Sequence, residues 1–138
     1  MEILIHIEKR KLDTEYQSAI AEYTKRLSAF CNVRCICYKD LAKLSMKPSS
    51  ACFVIQPGKE TVSSETFAEE INHLALSGYS RIEYVIPASG HTDFLSGTQS
   101  PKVFSLSGFS MSEDLTAVVL TEQLYRAFTI LNHITYHK

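Results

Sequence analysis

The stretch from Ser112 to His133 constrains the fold more than any other part of the chain. It reads as one long helix carrying Leu115, Val118, Val119, Leu120, Leu124, Tyr125, Ala127, Phe128, Ile130 and Leu131. A surface helix shows one apolar stripe at i, i+3, i+4 and i+7, and these residues overfill it. One row is Leu120, Leu124, Phe128 and Leu131; a second starts at Leu115, Val118 and Val119 and runs on into Glu122 and Arg126. Such a helix is either central in its own domain or shared with a partner chain, and a symmetric dimer is the default form of the second case.

With 138 residues, 45% hydrophobic and 21% charged, the chain suits a single soluble domain with an ordinary core. The apolar run Ile3 to Ile7 is too short to cross a membrane and lacks the features of a signal peptide, so a cytoplasmic protein with no membrane partner is expected. Cys31, Cys35, Cys37 and Cys52 lack the paired spacing of a zinc site and read as free thiols.

Taken in order, Ile3–Ile7 is a strand, Asp13–Phe30 a helix with Asp13 as candidate N-cap, and Val33–Tyr38 a strand. Lys39–Ser50 is polar and reads as a mobile connection. Ala51–Gln56 is an apolar strand suited to burial on both faces, and Ser64–Leu76 a helix closed by Ser77-Gly78. Arg81–Ile86 and Val103–Leu106 complete the strands. This order predicts an α/β fold with a mainly parallel sheet and helices on both faces.

Ligands of such sheets sit beyond the carboxyl ends of the strands, which points to Pro57-Gly58-Lys59, to Pro87–His91 and to Ser107–Ser112. There is no Gly-x-Gly-x-x-Gly and no Walker loop. In the third loop Ser107, Gly108 and Ser110 are small enough for close backbone approach to a ligand, and Phe109 and Met111 could clasp a flat apolar group. Ser110-x-x-Glu113 reads as a capping box. An ordinary strand-to-helix turn explains the same residues.

The net charge of −1 divides into +3 over residues 1–50 and −4 over residues 51–138. The basic residues gather at Lys9-Arg10-Lys11, Lys25-Arg26 and Lys39, Lys43, Lys47. They form either a face that steers RNA or simply a solvated surface.

Leu124-Tyr125-Arg126-Ala127-Phe128, followed at the chain end by Tyr136-His137-Lys138, resembles the large-subunit ribosomal RNA pseudouridine methyltransferase H family of the SPOUT class. Glu22-Tyr23-Thr24-Lys25-Arg26-Leu27, Pro57-Gly58-Lys59 and Phe67-Ala68-Glu69-Glu70-Ile71 agree, so the resemblance spans the chain. It implies a C-terminal trefoil knot, a homodimer through the C-terminal helix, and methyl transfer from S-adenosylmethionine to a ring nitrogen of a pseudouridine in 23S ribosomal RNA, without metal. It implies a cofactor site at Val54, Ile55, Pro87, Ala88, Ser107, Gly108, Phe109, Ser110, Met111 and Ser112. Tyr136, His137, Lys138 and Arg126 would lie on the substrate side. His137 is the candidate base by its ordinary pKa, and Arg126 would anchor a phosphate or pair with Glu122. His133 and His137, at i and i+4, would be metal ligands only outside the family's pattern.

The chain also departs from that pattern. The family's Gly-Gly-x-x-Gly after the fourth strand is here Pro87-Ala88-Ser89-Gly90-His91, and Pro87 removes an N–H and restricts φ. A Pro-His and a helical Arg at the start of the long helix give way to Ser112-Glu113 and Ala117, and the Pro before the terminal Tyr to Thr135. Two functions stay open, a ribosomal RNA methyltransferase with an altered cofactor loop or a catalytically silent knotted homodimer that binds RNA, a ribosome or a protein, with a methyltransferase of the same fold acting on a different RNA nucleotide as a weaker third.

Overall fold

A computed structural model describes residues 1–88 and 101–137. The strands are β1 (Glu2–Ile7), β2 (Asn32–Cys37), β3 (Ala51–Ile55), β4 (Arg81–Ile86) and β5 (Lys102–Phe104), and the helices α1 (Thr14–Leu27), α2 (Ser64–Leu76) and α3 (Glu113–Leu131). All strand pairs are parallel, in the order β2-β1-β4-β3-β5.

The register sorts the side chains into two faces. Ile3, Ile5 and Ile7 of β1 lie beside Ile82, Tyr84 and Ile86 of β4, and all six join the core formed with the three helices. Leu4 and His6, beside Glu83 and Val85, point the other way. The topology explains why α1 and α2 share a face: β1-α1-β2 and β3-α2-β4 step along the sheet in the same direction, and crossovers of one hand then lie on one side. The connection from β2 to β3 steps in the opposite direction, so the same hand carries it over the second face.

That connection is residues 39–50, whose polar sequence reads as mobile. Here it forms a strap with a single 3-10 turn, Leu41–Lys43. Leu41 is 1% exposed and packs with Val54 and Val85, while Tyr38, Leu44 and Met46 close over them. Among the described residues the second face is thus covered by one short helical turn and not by an α-helix. Two buried carboxylates of the sheet side hold the strap's backbone: Leu41 N–H donates to Glu8 Oε2 (3.2 Å) and Lys47 N–H to Glu83 Oε2 (3.1 Å). Beneath it, His6 Nε2 meets Glu83 Oε1 at 2.9 Å and Nδ1 meets the Tyr38 hydroxyl at 2.7 Å. Donation from Nε2–H to Glu83 leaves Nδ1 to accept from Tyr38.

α3 packs against both α1 and α2. Its fully buried row is Ala117, Leu120, Leu124 and Ala127. Phe128 and Leu131 of the expected first row are half-buried, and Leu115 of the second is exposed. The sequence pattern did not show that α3 also buries Asp114, Thr116, Thr121 and Thr129. The threonines return their hydroxyls to helix carbonyls, Thr116 to Ser112 O and Thr121 to Ala117 O. Asp114 accepts from Lys9 Nζ (2.5 Å) and Asp13 N–H (2.8 Å), which ties the start of α3 to the β1–α1 loop. Burial raises the Asp114 pKa, but Lys9 and the Asp13 amide outweigh it and hold the carboxyl below its ordinary value.

One capping expectation is corrected and the other holds in position only. The N-cap of α3 is Ser112, whose hydroxyl accepts from Leu115 N–H at 3.2 Å, so the cap lies two residues beyond the expected Ser110. Asp13 occupies the N-cap position of α1 but makes no side-chain cap, because its carboxylate faces Lys9 at 3.5 Å.

His6 generates a pH prediction. Burial lowers its pKa from the ordinary 6.5, against the opposing pull of Glu83. The unfolded chain therefore binds this proton more readily than the folded one, and stability falls as pH drops through 6.5. Melting temperature should decrease between pH 7.5 and pH 5.5, and His6→Gln should flatten that slope; equal slopes in the two proteins would contradict the assignment.

Candidate active site

The carboxyl ends of β3, β4 and β5 converge on a cleft of about 300 Å³. β3 enters it with Ile55, Gln56 and Pro57, β4 with Ile86, Pro87 and Ala88, and the segment after β5 with Leu106, Ser107, Phe109, Ser110 and Met111; Thr116 of α3 closes one side. Two backbone bonds continue the β3/β5 pairing beyond the strands, Gln56 N–H to Phe104 O and Gly58 N–H to Ser107 O, both 3.1 Å. The loops therefore cross closely at Gly58, where an added Cβ would stand 2.5 Å from Ser105 Oγ. The Ser107 hydroxyl accepts from Phe109 N–H at 2.9 Å, and this local turn leaves the Phe109 side chain 84% exposed at the rim.

Of the residues singled out for a cofactor, Ile55, Pro87, Ala88, Ser107, Phe109, Ser110 and Met111 meet at this cleft. Val54 is fully buried on the strap face with Leu41 and Val85, since neighbouring residues of a strand point to opposite sides. Gly108 lies against the Gly58 carbonyl and Ser112 caps α3, so both shape the loop without lining the cleft. Gln56, Pro57, Ile86, Leu106 and Thr116 line it as well. Pro57 belongs to the first of the three strand-end loops read from the sequence, and Gln56 directly before it shared that signal; Thr116 had none, since it comes from a helix. Ser89, Gly90 and His91 lie outside the described residues.

The C-terminal candidates form a second cluster along the middle of α3. After the C-cap Asn132 the chain turns at His133, which has φ 57°, and Ile134 N–H bonds back to Thr129 O. This break separates His133 from His137, so the two do not share a helical face. The tail then folds back on α3. Tyr136 donates to Glu122 Oε1 at 3.0 Å and packs its ring edge-on against Tyr125 at 4.8 Å. Arg126 meets Glu122 through Nη2 at 2.6 Å and Nε at 3.1 Å, places its guanidinium 5.3 Å from the Tyr136 ring centre, and reaches His137 Nδ1 through Nη1 at 3.1 Å. His137 Nε2 lies 2.5 Å from Glu65 Oε1 at the start of α2.

Because a guanidinium only donates, Nδ1 of His137 must accept, and the ring proton sits on Nε2 facing Glu65. The hydrogen bond to His137 holds the Glu65 carboxyl below its ordinary value. Burial, then the bond to Glu122, pushes the Tyr136 hydroxyl well above its usual range. Arg126, Tyr136 and His137 are thus brought together with Glu122 and Glu65, and none of them lines the cleft. Lys138 lies outside the described residues. Among the described residues no group of three or more His, Cys, Asp or Glu could hold a metal ion, and no helix is long and apolar enough to cross a membrane.

The crossing at Gly58 predicts that in Gly58→Ala the Ser105 hydroxyl is turned out of its rotamer, at a cost of about 0.5–1.5 kcal/mol. Urea denaturation would read this as a slightly lower midpoint at unchanged slope, and a loss above about 3 kcal/mol would mean that the loop backbone has to move as well.

Comparison with known proteins gives the chain a family. A family model described as predicted SPOUT methyltransferase matches residues 1–137. The chain is 35% identical to ribosomal RNA large subunit methyltransferase H 1 of Thermoanaerobacter sp. (strain X514), over 100% of both chains. It is 33% identical to ribosomal RNA large subunit methyltransferase H of Limosilactobacillus reuteri (strain DSM 20016), covering 93% of this chain and 94% of the relative. With the corresponding protein of Streptococcus pyogenes serotype M5 (strain Manfredo) identity is 32% at the same coverage.

Proposed function

The chain belongs to the SPOUT methyltransferase family, and on that premise we propose that it is a homodimeric enzyme that methylates a pseudouridine of 23S ribosomal RNA, with S-adenosylmethionine as the donor. The observation that carries this reading is the cleft at the carboxyl ends of β3, β4 and β5, the position where open parallel sheets bind ligands. Its volume lies at the lower end of the range for small-molecule sites, and its walls mix apolar and polar groups as such sites do. Ile55, Leu106, Phe109 and Met111 would hold a flat base, and Gln56, Ser107, Ser110 and the loop backbone its polar edge. The donor, when bound, supplies a methyl group activated by a sulfonium.

The target ring nitrogen must give up its proton as it takes the methyl group. His137 serves this only after rearrangement, because its one free lone pair is taken by Arg126. Arg126 then provides the fixed positive charge for the developing anion or a nearby phosphate, with Glu122 and Tyr136 holding its plane. In a single chain this cluster stands away from the cleft: Glu122 lies six residues beyond Thr116, about 9 Å along the helix axis. A two-fold dimer over the α1/α3 face would bring one protomer's tail towards its partner's cleft. That face carries partly exposed aromatic groups, with Phe30 stacked on Phe128 at 5.8 Å and Tyr23 beside Tyr125 at 6.3 Å. A trefoil-knotted C-terminal segment and a cytoplasmic location belong to the same proposal.

One observation favours the alternative of a silent RNA-, ribosome- or protein-binding dimer. Pro87 has no N–H, and the Ala88 N–H is occupied by Glu8 at 2.8 Å, so the β4 loop offers a cofactor neither amide. Calorimetric titration with S-adenosylmethionine separates the two: micromolar binding is expected, and no heat at millimolar cofactor with a folded dimer would establish the silent reading. Phe109→Ala should weaken that binding about ten-fold with no change in melting temperature, since the ring is exposed. Mass analysis of ribosomal RNA from cells lacking the gene should show one methyl group missing.

A further inference from the structure

Glu8 is a nearly buried carboxylate, 8% exposed, which the proposed reaction does not use. It follows β1 directly, and its N–H donates to Ile86 O at 2.9 Å, so it continues the β1/β4 ladder as far as Ile86, a residue that lines the cleft. Its two oxygens serve two different segments. Oε1 accepts from Ala88 N–H at 2.8 Å in the cleft loop, and Oε2 from Leu41 N–H at 3.2 Å at the start of the strap's helical turn. Pro87 and Ala88 line the cleft. The strap carries Lys39, Lys43 and Lys47, all exposed, while its one acidic residue, Asp40, turns its carboxylate onto Ala42 N–H at 2.9 Å.

We propose that Glu8 is a positioning residue that sets the backbone of the cleft loop and couples it to the basic strap, so that contact of the strap with RNA phosphates and occupancy of the cleft bias one another. The coupling runs through one side chain hydrogen-bonded at both ends, and it is reciprocal, as any linkage between two binding events is. The charge matters as well as the shape. A carboxylate accepts with both oxygens, whereas a carboxamide accepts with one and turns an NH2 towards the other amide. Glu8→Gln therefore keeps the volume and loses one of the bonds to Ala88 and Leu41, and Glu8→Ala loses the bonds to both amides. The cleft's role as cofactor site rests on the reading above; the backbone coupling does not.

Amide hydrogen exchange on the full-length dimer, with and without 23S ribosomal RNA, tests this. In the wild type, RNA should slow exchange at Ala88 as well as in the strap. In Glu8→Ala the Ala88 and Leu41 amides should exchange at least ten-fold faster without RNA, and RNA should no longer protect Ala88. Unchanged exchange in β1 and β4 would show that the fold is kept. If Glu8→Ala does not fold, Glu8→Gln supplies the same comparison with one amide released. In parallel, the dissociation constant for S-adenosylmethionine should rise about ten-fold in Glu8→Ala and less in Glu8→Gln. Unchanged Ala88 exchange, RNA protection of Ala88 that survives Glu8→Ala, or faster exchange with unaltered cofactor affinity would each overturn the proposal. If the wild type binds no cofactor, the methyltransferase reading fails, and the exchange results decide the coupling alone.

Discussion

The buried row of α3 on the sheet is the interaction from which the other features follow. Ala117, Leu120, Leu124 and Ala127 are fully buried, and burying each of the two leucines contributes about 1.5–3 kcal/mol. The alanines bring the helix close to the sheet between α1 and α2. Once α3 is seated, its N-terminus holds the Ser105–Ser112 segment over the ends of β3 and β4, which forms the cleft. Its outer side offers Glu122 and Arg126 to the returning tail. One packed helix therefore determines where both halves of the candidate site stand.

Around that apolar contact, three buried carboxylates tie irregular segments to the framework. Glu8 holds Ala88 and Leu41, Glu83 holds Lys47 and His6, and Asp114 holds Asp13 and Lys9. In each case the carboxylate receives a backbone N–H from a loop, which satisfies donors that burial would otherwise leave unpaired. The arrangement explains how the strap is held on the second sheet face. Its 12 residues carry few apolar side chains, and two of its amides are bonded to the protein interior. It also fixes the first residues after β4: the Glu8 carboxylate accepts from Ala88 N–H.

Much of the fold was legible in the residues. Strands with apolar runs, the 3.6-residue spacing of α1, α2 and α3, and the Ser77-Gly78 stop located every strand and α-helix of the described residues within a few positions, because these patterns reflect local geometry and burial on one face. The strap was not legible. Its anchors, Glu8 and Glu83, are charged residues distant in sequence, and nothing in Lys39–Ser50 announces which amides they bind. The same holds for Asp114, which reads as an acidic residue at a helix start and is in fact buried beneath Lys9. In the cleft, strand-end loops pointed to Pro87, Ser107 and Phe109, but strict alternation along β3 sends Ile55 to the cleft and Val54 to the opposite face.

The sequence by itself determined the α/β class, the strand and helix order, the family and the separation of basic from acidic halves. These depend on periodicity, composition and motifs carried by contiguous residues. Only the tertiary structure decided that α1, α2 and α3 share one face, that the tail cluster and the cleft are separate within a chain, and that Glu8 joins Ala88 to the strap. Each of these depends on which residues meet across the sheet, and that is set by strand order and crossover hand, quantities no single stretch of sequence contains.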